Sequence, residues 1–499
     1  MTCRPMARPI WAGDGPAAIA GIATLAVVAI AVSHVSTPLF VTATGLLAGS
    51  MAIASLRWPR PVLVLVTLSP VLDRYLAPGL LGPDTVTIAH LLSEALLVAV
   101  GLTLVTQSAL RGSLVAAARH PTVALAAAFV LLAVVSAVAN GVPAAQAAAG
   151  IGFTMDAVAL FLLARIVGFE PRQALLAIGV VIALVVAGAI VAVLQALLTP
   201  HLLGLSALRG EFGELYRLAA FFGDPNAFAA FLSAAIPFAL FGSTGLRTQR
   251  GRRVALAAAF LLVLALWLSF SRGGWLGAVG GFAVAAVILD RRALRVGLVV
   301  VVVALAVALV MPRDLLGDTG QQRPDLINST FGRVGTIGAG KDLRSNFVKN
   351  ALPIVADHPL LGVGPGRYGG ATADIFGTPI YARYGTDRMF VNPTQRTVDD
   401  FWLHLVVESG LAGLLVFLAM VGAALRQVVR AARGAAWGRR VALAGIGGAA
   451  IALCINGLTT MLLEANSAAF LFWFLLGIGS QLAEPANSEP AAAAPAAAG

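Results

Sequence analysis

Charge is scarce in this chain: of 499 residues only 11% are Asp, Glu, Lys or Arg, while 59% are hydrophobic. A water-soluble protein of this length has no use for that balance, whereas a protein of many membrane-spanning helices requires it. Cysteine is nearly absent. Cys3 sits in the N-terminal tail and Cys454 inside an apolar run, which excludes a disulfide framework and a cysteine-based metal site. Lysine is equally rare, with Lys341 and Lys349 the two among 34 basic residues, a bias that looks like GC-rich bacterial coding. The net charge of +11 does not point to nucleic acid as a partner, because the arginines are dispersed as flanks of apolar runs. No small-residue cleavage site follows the first apolar run, so it reads as a retained helix and not as a removed leader.

What the chain has in abundance is apolar runs long enough to cross a bilayer, ~20 residues each. They fall near 16–33, 37–56, 61–78, 86–106, 121–139, 149–166, 173–197, 218–241, 254–270, 274–289, 296–311, 402–424, 441–459 and 464–482. The third is interrupted by Pro61, Pro70 and Asp73. The expected fold is all-α: a polytopic transmembrane helical bundle of 12–14 spans with one large, partly helical outer loop. Arginine placement orients it. With a cytoplasmic N-terminus, 19 arginines fall on inner segments, among them Arg57, Arg60, Arg172, Arg252, Arg439 and Arg440. The short outer loops hold four: Arg74, Arg209, Arg217 and Arg272. Both termini are then cytoplasmic.

One outer connection, 312–401, runs for about 90 residues with ten basic and nine acidic side chains, a length that marks either function or disorder. Within it, "KDLRSNFVKNALPIVADHPLLG" reads as a helix with Phe347, Ala351, Ile354 and Val355 on one face. Pro359 closes it and a glycine-rich turn, "GVGPGRYGG", follows. The expected organisation is therefore an N-terminal bundle over 1–311, the outer loop over 312–401, C-terminal membrane helices over 402–482 and a low-complexity tail over 483–499. No internal repeat or inverted symmetry is visible, which disfavours many transporter folds.

Several short motifs carry chemistry. "GTIGAGKD" at 335–342 imitates a phosphate-binding loop, but Asp342 stands where the magnesium-holding Ser or Thr belongs and no strand precedes it. "NST" at 328–330 matches a glycosylation sequon, a pattern common by chance. "SFSRGGWLG" sets Arg272 between two closely spaced apolar runs, either as an arginine reaching for headgroups or as an anion clamp, since guanidinium grips phosphate bidentately and the glycine pair lets backbone approach a ligand. "LYRLAAFFGDPNAFAAFL" sets Arg217 at the mouth of a span, with Asp224, Pro225 and Asn226 about two turns deeper as a kink or a site wall. Arg344 stands at the head of the loop helix. Inside apolar runs, His90 and Glu94 share one face and Asp156 lies in another span, suiting either a carrier or a polar bundle interior. "TVDDFWLHLVVESG" gathers Asp399, Asp400, His404 and Glu408 within three turns at the edge of a membrane helix. Asp399 or Asp400 suits a helix N-cap or a general base. Glu408 shares a face with Asp400 and His404 and is placed to orient either.

Four of these pieces, in order, resemble the bacterial O-antigen ligase and O-antigen polymerase superfamily: "YRLAAFFGDPNAFAAFL", "FSRGGWLG", "ALPIVADHPLLGVGPGRY" and "DDFWLHLVVESGLAGLL". The resemblance covers about residues 205–425. It implies a membrane glycosyltransferase acting on polyprenyl-pyrophosphate-linked glycan at the outer face of the plasma membrane, with two essential arginines that match Arg272 and Arg344. It also implies a histidine nine residues before a glutamate. Counting back from Glu408 lands on Asp399, with Asp400 beside it. Either Asp399 does the histidine's work, or His404 substitutes, or the role is absent, and the departure favours polymerase-like members over ligases.

The reaction so implied joins an acceptor hydroxyl, on a glycan or lipid-linked glycan, to the anomeric carbon of a donor whose leaving group is polyprenyl pyrophosphate. Arg272 and Arg344, with Arg217 as a third, are expected to bind that pyrophosphate. Asp399, then Asp400 or His404, is expected to accept the hydroxyl proton, supported by Asp224, Asn226 and Glu408. No cofactor or metal is called for. The rival class is a lipid-linked-glycan flippase or proton-coupled transporter, which accounts for His90, Glu94 and Asp156 but not for one large outer loop flanked by arginine-bearing turns.

Overall fold

Apolar runs punctuated by proline, glycine and arginine become helices that stop where those residues stand. The computed structural model describes residues 37–81, 86–199, 202, 207–209, 216–289, 295, 343–390, 397–464 and 467–483. The spans expected at 16–33 and 296–311, the motifs at 328–330 and 335–342 and the tail lie outside these residues, as do the side chains of His90 and Arg344.

The helices are α1 (Thr37–Arg57), α2 (Pro59–Leu81), α3 (Val86–Thr106), α4 (Arg111–Ala118), α5 (Pro121–Ala139), α6 (Ala144–Met155), α7 (Val158–Val167) and α8 (Pro171–Leu197). After a two-stranded antiparallel ribbon, β1 (Ala207–Arg209) and β2 (Tyr216–Leu218), come α9 (Pro225–Gly245), α10 (Gln249–Leu268) and α11 (Arg272–Leu289). Then follow α12 (Leu343–Asp357), α13 (Ala371–Phe376), α14 (Pro379–Tyr384), α15 (Phe401–Gly434), α16 (Trp437–Asn456) and α17 (Ser467–Leu482). Among the described residues seven helices are long and apolar enough to cross a membrane, or up to nine if each of two bent pairs is one span. The expected spans within the described residues fall on helices, save that the one at 218–241 turns helical only from Pro225, and α2 is continuous through Pro61 and Pro70. The run at 149–166 is broken: α6 and α7 meet at 54° around Asp156.

The bundle is organised around α9, which is buried on every side, while α5 and α10 leave most of their surface to the surroundings. α16 lies against α9 and against α11. The α11–α16 seam is closed by small residues. A Cβ on Gly281 would lie 2.5 Å from the Gly448 carbonyl oxygen and one on Gly448 2.6 Å from that of Gly281, the close backbone approach that membrane helices use in place of a hydrophobic drive.

The two ends of the bundle differ in chemistry. At one end arginines satisfy helix C-terminal carbonyls. Arg440 donates to Ile288 O through Nε and Nη2, at 3.0 and 2.7 Å, Arg439 to Leu482 O and Arg60 to Gly168 O at 2.6 Å. At the other end the connections 140–144, 216–224, 269–271 and 457–464 converge with the large loop. Its described part has a small core of its own, Phe347, Ala351, Ile354, Val363, Tyr368, Ile380 and Tyr381, which takes in Val398 and, from α15, Val407. Val355 packs on it half-buried, so the predicted helix face is the one that docks.

Candidate active site

The glycine-rich loop and the start of α15 complete each other's backbone. Gly410, with φ 65° and ψ −173°, interrupts α15. The interruption would strand carbonyls behind it and N–H groups ahead of it. The 359–364 segment supplies both missing sets: Val363 and Gly364 donate to the carbonyls of Val407 and Glu408 at 2.9 and 3.0 Å, while Leu411 and Ala412 donate to those of Pro359 and Leu360 at 2.8 and 3.2 Å. Only glycine fits at Gly410, because its backbone is left-handed and a Cβ would lie 2.2 Å from the Leu360 oxygen.

Beyond this clasp, the loop wraps the Glu408 side chain. Its carboxylate accepts from the N–H of Gly366 and of Tyr368, each at 2.7 Å. His404, one turn earlier, contacts the Tyr368 carbonyl through Nδ1. A carbonyl only accepts, so Nδ1 carries the proton. Nε2 then faces two carboxylates, Glu408 and Glu464, each at 3.8 Å. His404, Glu408 and Glu464 are 2%, 4% and 6% exposed, so all three are enclosed by protein. Glu464 lies in the connection between α16 and α17, where burial pushes its carboxyl up and the His404 charge opposes that. Burial also holds the Tyr368 and Tyr381 hydroxyls well above the ordinary phenol range, so both stay protonated. The Tyr381 hydroxyl accepts from Gly369 N–H at 2.8 Å. Arg367 anchors the loop to the α5 end through the Asn140 and Gly141 carbonyls at 3.0 and 2.9 Å, and Gln146 holds the Gly366 carbonyl at 2.7 Å.

Asp399 and Asp400 differ sharply. Asp400 is the N-cap of α15, its carboxylate accepting Leu403 N–H at 3.0 Å. Asp399 is exposed and its backbone is placed by its neighbour: Val398 donates to the Gly369 carbonyl at 2.9 Å.

The arginine side is built on α9 and α11. Asp224, Pro225 and Asn226 do not lie two turns inside a span as the hydropathy suggested. Asp224 is the N-cap of α9, accepting from Asn226 and Ala227 N–H at 3.2 and 3.1 Å, with Pro225 in the first turn. The preceding residues form β2 and a short 3₁₀ turn, because proline tolerates the first helical position and ends apolar helix continuity before it. Arg217 donates to Asn226 Oδ1 at 2.6 Å and to the Ser269 carbonyl at 3.2 Å, and Ser271 Oγ donates to the same Asn226 oxygen at 3.1 Å. The turn so braced passes through Phe270 at φ 48°, a left-handed conformation that a bulky side chain adopts only under constraint. It delivers Arg272 half-buried at the head of α11. The glycine pair after it is filled by protein: a Cβ on Gly273 would overlap Thr459 and one on Gly274 would crowd Ala229.

The 457–464 connection joins the two sides. Phe401 N–H donates to the Gly457 carbonyl at 2.8 Å, and Gly273 abuts Thr459. Two residues of chain reach at most about 7 Å, so the segment carrying Asp399 and the one carrying Arg272 dock at neighbouring points of one loop. The structure thus brings together Asp399, Asp400, His404 and Glu408 on one side and Arg217, Asp224, Asn226 and Arg272 on the other. Arg344 lies in the first turn of α12. Sequence reasoning missed Glu464, Thr459 and Tyr368. An acidic residue at a span edge was the available signal for Glu464. Among the described residues no group of three His, Cys, Asp or Glu side chains is arranged to hold a metal ion.

Residues 257–418 match the family model described as O-antigen ligase, a segment running from α10 into α15. No curated protein matches the chain.

Proposed function

We propose that the chain, whose residues 257–418 match the O-antigen ligase family model, is a multi-pass bacterial inner-membrane glycosyltransferase of the O-antigen ligase and polymerase superfamily that extends a glycan at the outer face by attack on a polyprenyl-pyrophosphate-linked donor. The observation that carries this reading is the shared docking of the Asp399 and Arg272 segments on residues 457–459. Transfer needs a proton acceptor beside the hydroxyl and positive charge beside the leaving group, and the two segments so docked carry a carboxylate, Asp399, and a guanidinium, Arg272, that suit those roles.

In this mechanism the Asp399 carboxylate takes the acceptor hydroxyl proton as the oxygen attacks the anomeric carbon. The bond from that carbon to the pyrophosphate oxygen breaks, and its electron pair leaves with polyprenyl pyrophosphate. Arg272, with Arg344, neutralises that charge, so arginine does what a metal ion does elsewhere. Arg217 braces the Arg272 turn and adds charge beside it. The N-termini of α9 and α15 are occupied by their own caps, Asp224 and Asp400, which leaves anion binding to the arginines. Carboxylate in place of the histidine expected nine residues before Glu408 favours polymerisation over ligation. The arginine-rich end of the bundle faces the cytoplasm, with both termini.

The test uses purified full-length protein in lipid nanodiscs with polyprenyl-pyrophosphate-linked oligosaccharide as sole substrate. A ladder of longer glycans together with released polyprenyl pyrophosphate supports polymerisation. Product only after a separate lipid-glycan acceptor is added makes the chain a ligase. No transfer under either condition overturns the reading.

A further inference from the structure

We propose that Glu464 is a positioning residue for this transfer, holding through His404 the loop that places Asp399. The inference rests on the reading that Asp399 serves the acceptor. Glu464 lies outside the segment that matches the family model, on the short connection between the last two described helices.

The path from Glu464 to Asp399 is continuous. Glu464, from the connection between α16 and α17, lies 3.8 Å from His404 Nε2, and it accepts the N–H of Ala371 at the head of α13. His404 holds the Tyr368 carbonyl. The next residue, Gly369, holds Val398 N–H at 2.9 Å, and Asp399 follows Val398. Glu408 alone already satisfies the N–H groups of Gly366 and Tyr368. A second carboxylate buried against the same imidazole costs desolvation without adding to that clasp. What it adds is a second negative charge facing Nε2 at 3.8 Å, which biases the ring plane and with it the direction of Nδ1–H, the role outer groups play for an oriented histidine.

The sequence is fitted to this carboxylate. Gly370 has ordinary extended backbone, φ −91° and ψ 176°, so conformational freedom does not explain the glycine. Space does: a Cβ there would lie 2.3 Å from Glu464 Oε1 and 2.7 Å from Oε2. Gly370 is the recess that Glu464 occupies.

Kinetics and melting of purified full-length variants in nanodiscs, with the lipid-linked oligosaccharide as donor, test this. Glu464→Gln keeps the shape and removes the charge. It is expected to lower kcat about 10- to 100-fold, with the donor KM within about twofold and Tm nearly unchanged. Gly370→Ala is expected to reproduce the kcat loss without touching the carboxylate, and the shortened Glu464→Asp to recover most of it in the Gly370→Ala background, a coupling that independent defects do not show. Wild-type kcat in Glu464→Gln, a loss that merely follows Tm, or failure of Glu464→Asp to relieve Gly370→Ala overturns the inference. Asp399→Asn in the same assay separates the two proposals: if it transfers at the wild-type rate, the reading of the site fails, whereas full activity of Glu464→Gln beside an inactive Asp399→Asn removes Glu464 alone.

Discussion

At one end of the 457–464 connection, Arg217, Asn226 and Arg272 are half-buried around a turn that forces Phe270 into a left-handed backbone. At the other end, His404, Glu408 and Glu464 are almost wholly withdrawn from solvent, and their polar atoms are engaged with backbone and with one another. The arginine end spends constraint to hold a charge where a ligand can reach it. The carboxylate end hides charge to hold a loop. Sequence motifs of equal prominence therefore divide into groups open to the surroundings, which the proposed mechanism uses, and groups enclosed by protein, and burial tells them apart. Asp399 and His404 are the sharpest instance, five residues apart and on opposite sides of that division.

The largest expected effect breaks or keeps this division directly. Asp399→Asn should lower kcat about 10³-fold, within the range of general-base loss, while leaving melting unchanged. If His404→Gln instead abolishes turnover in fully folded protein and Asp399→Asn does not, the buried end is the one that does chemistry. Arg272→Ala should lower transfer about 10²-fold. Arg272→Lys should recover only part of it, because a point charge does not reproduce bidentate contact, and released polyprenyl pyrophosphate is the readout. Glu408→Ala should act on folding first. Leaving the Gly366 and Tyr368 N–H groups unpaired costs about 2–4 kcal/mol, visible as a lowered melting temperature and early proteolysis between 359 and 400. The smallest effect belongs to the caps: Asp224→Ala should cost about 1 kcal/mol in denaturant titration. Equal loss of rate and stability in that variant would show that the arginine end is scaffold as well.

Much of the architecture was legible because membrane helices announce themselves by length and composition alone. The face of α12 was legible too, since Phe347, Ala351 and Ile354 repeat at helical spacing. The Asp-Pro-Asn motif was misplaced because hydropathy continues through Tyr216–Phe222, residues that are apolar enough to span yet form a strand and a 3₁₀ turn ahead of the proline. The glycines after Arg272 suggested an approach to ligand, where the structure fills them with Thr459 and Ala229. Spacing cannot say what fills a gap. Glu464 carried one local signal, an acidic residue at a span edge, but its partners are tertiary: the sequence does not show Gly370 and His404 folded against it.

The break at Gly410 also divides the labour within α15. Leu411–Leu425, the uncharged stretch between the break and Arg426, is about 22 Å of helix at 1.5 Å per residue, short of the hydrocarbon core of a bilayer, about 30 Å. A crossing therefore draws on Phe401–Ser409 as well, the turns that the 359–364 segment clasps. The residues that hold the loop are then also the residues that complete the span, and the loop cannot shift along the membrane normal without taking the helix with it.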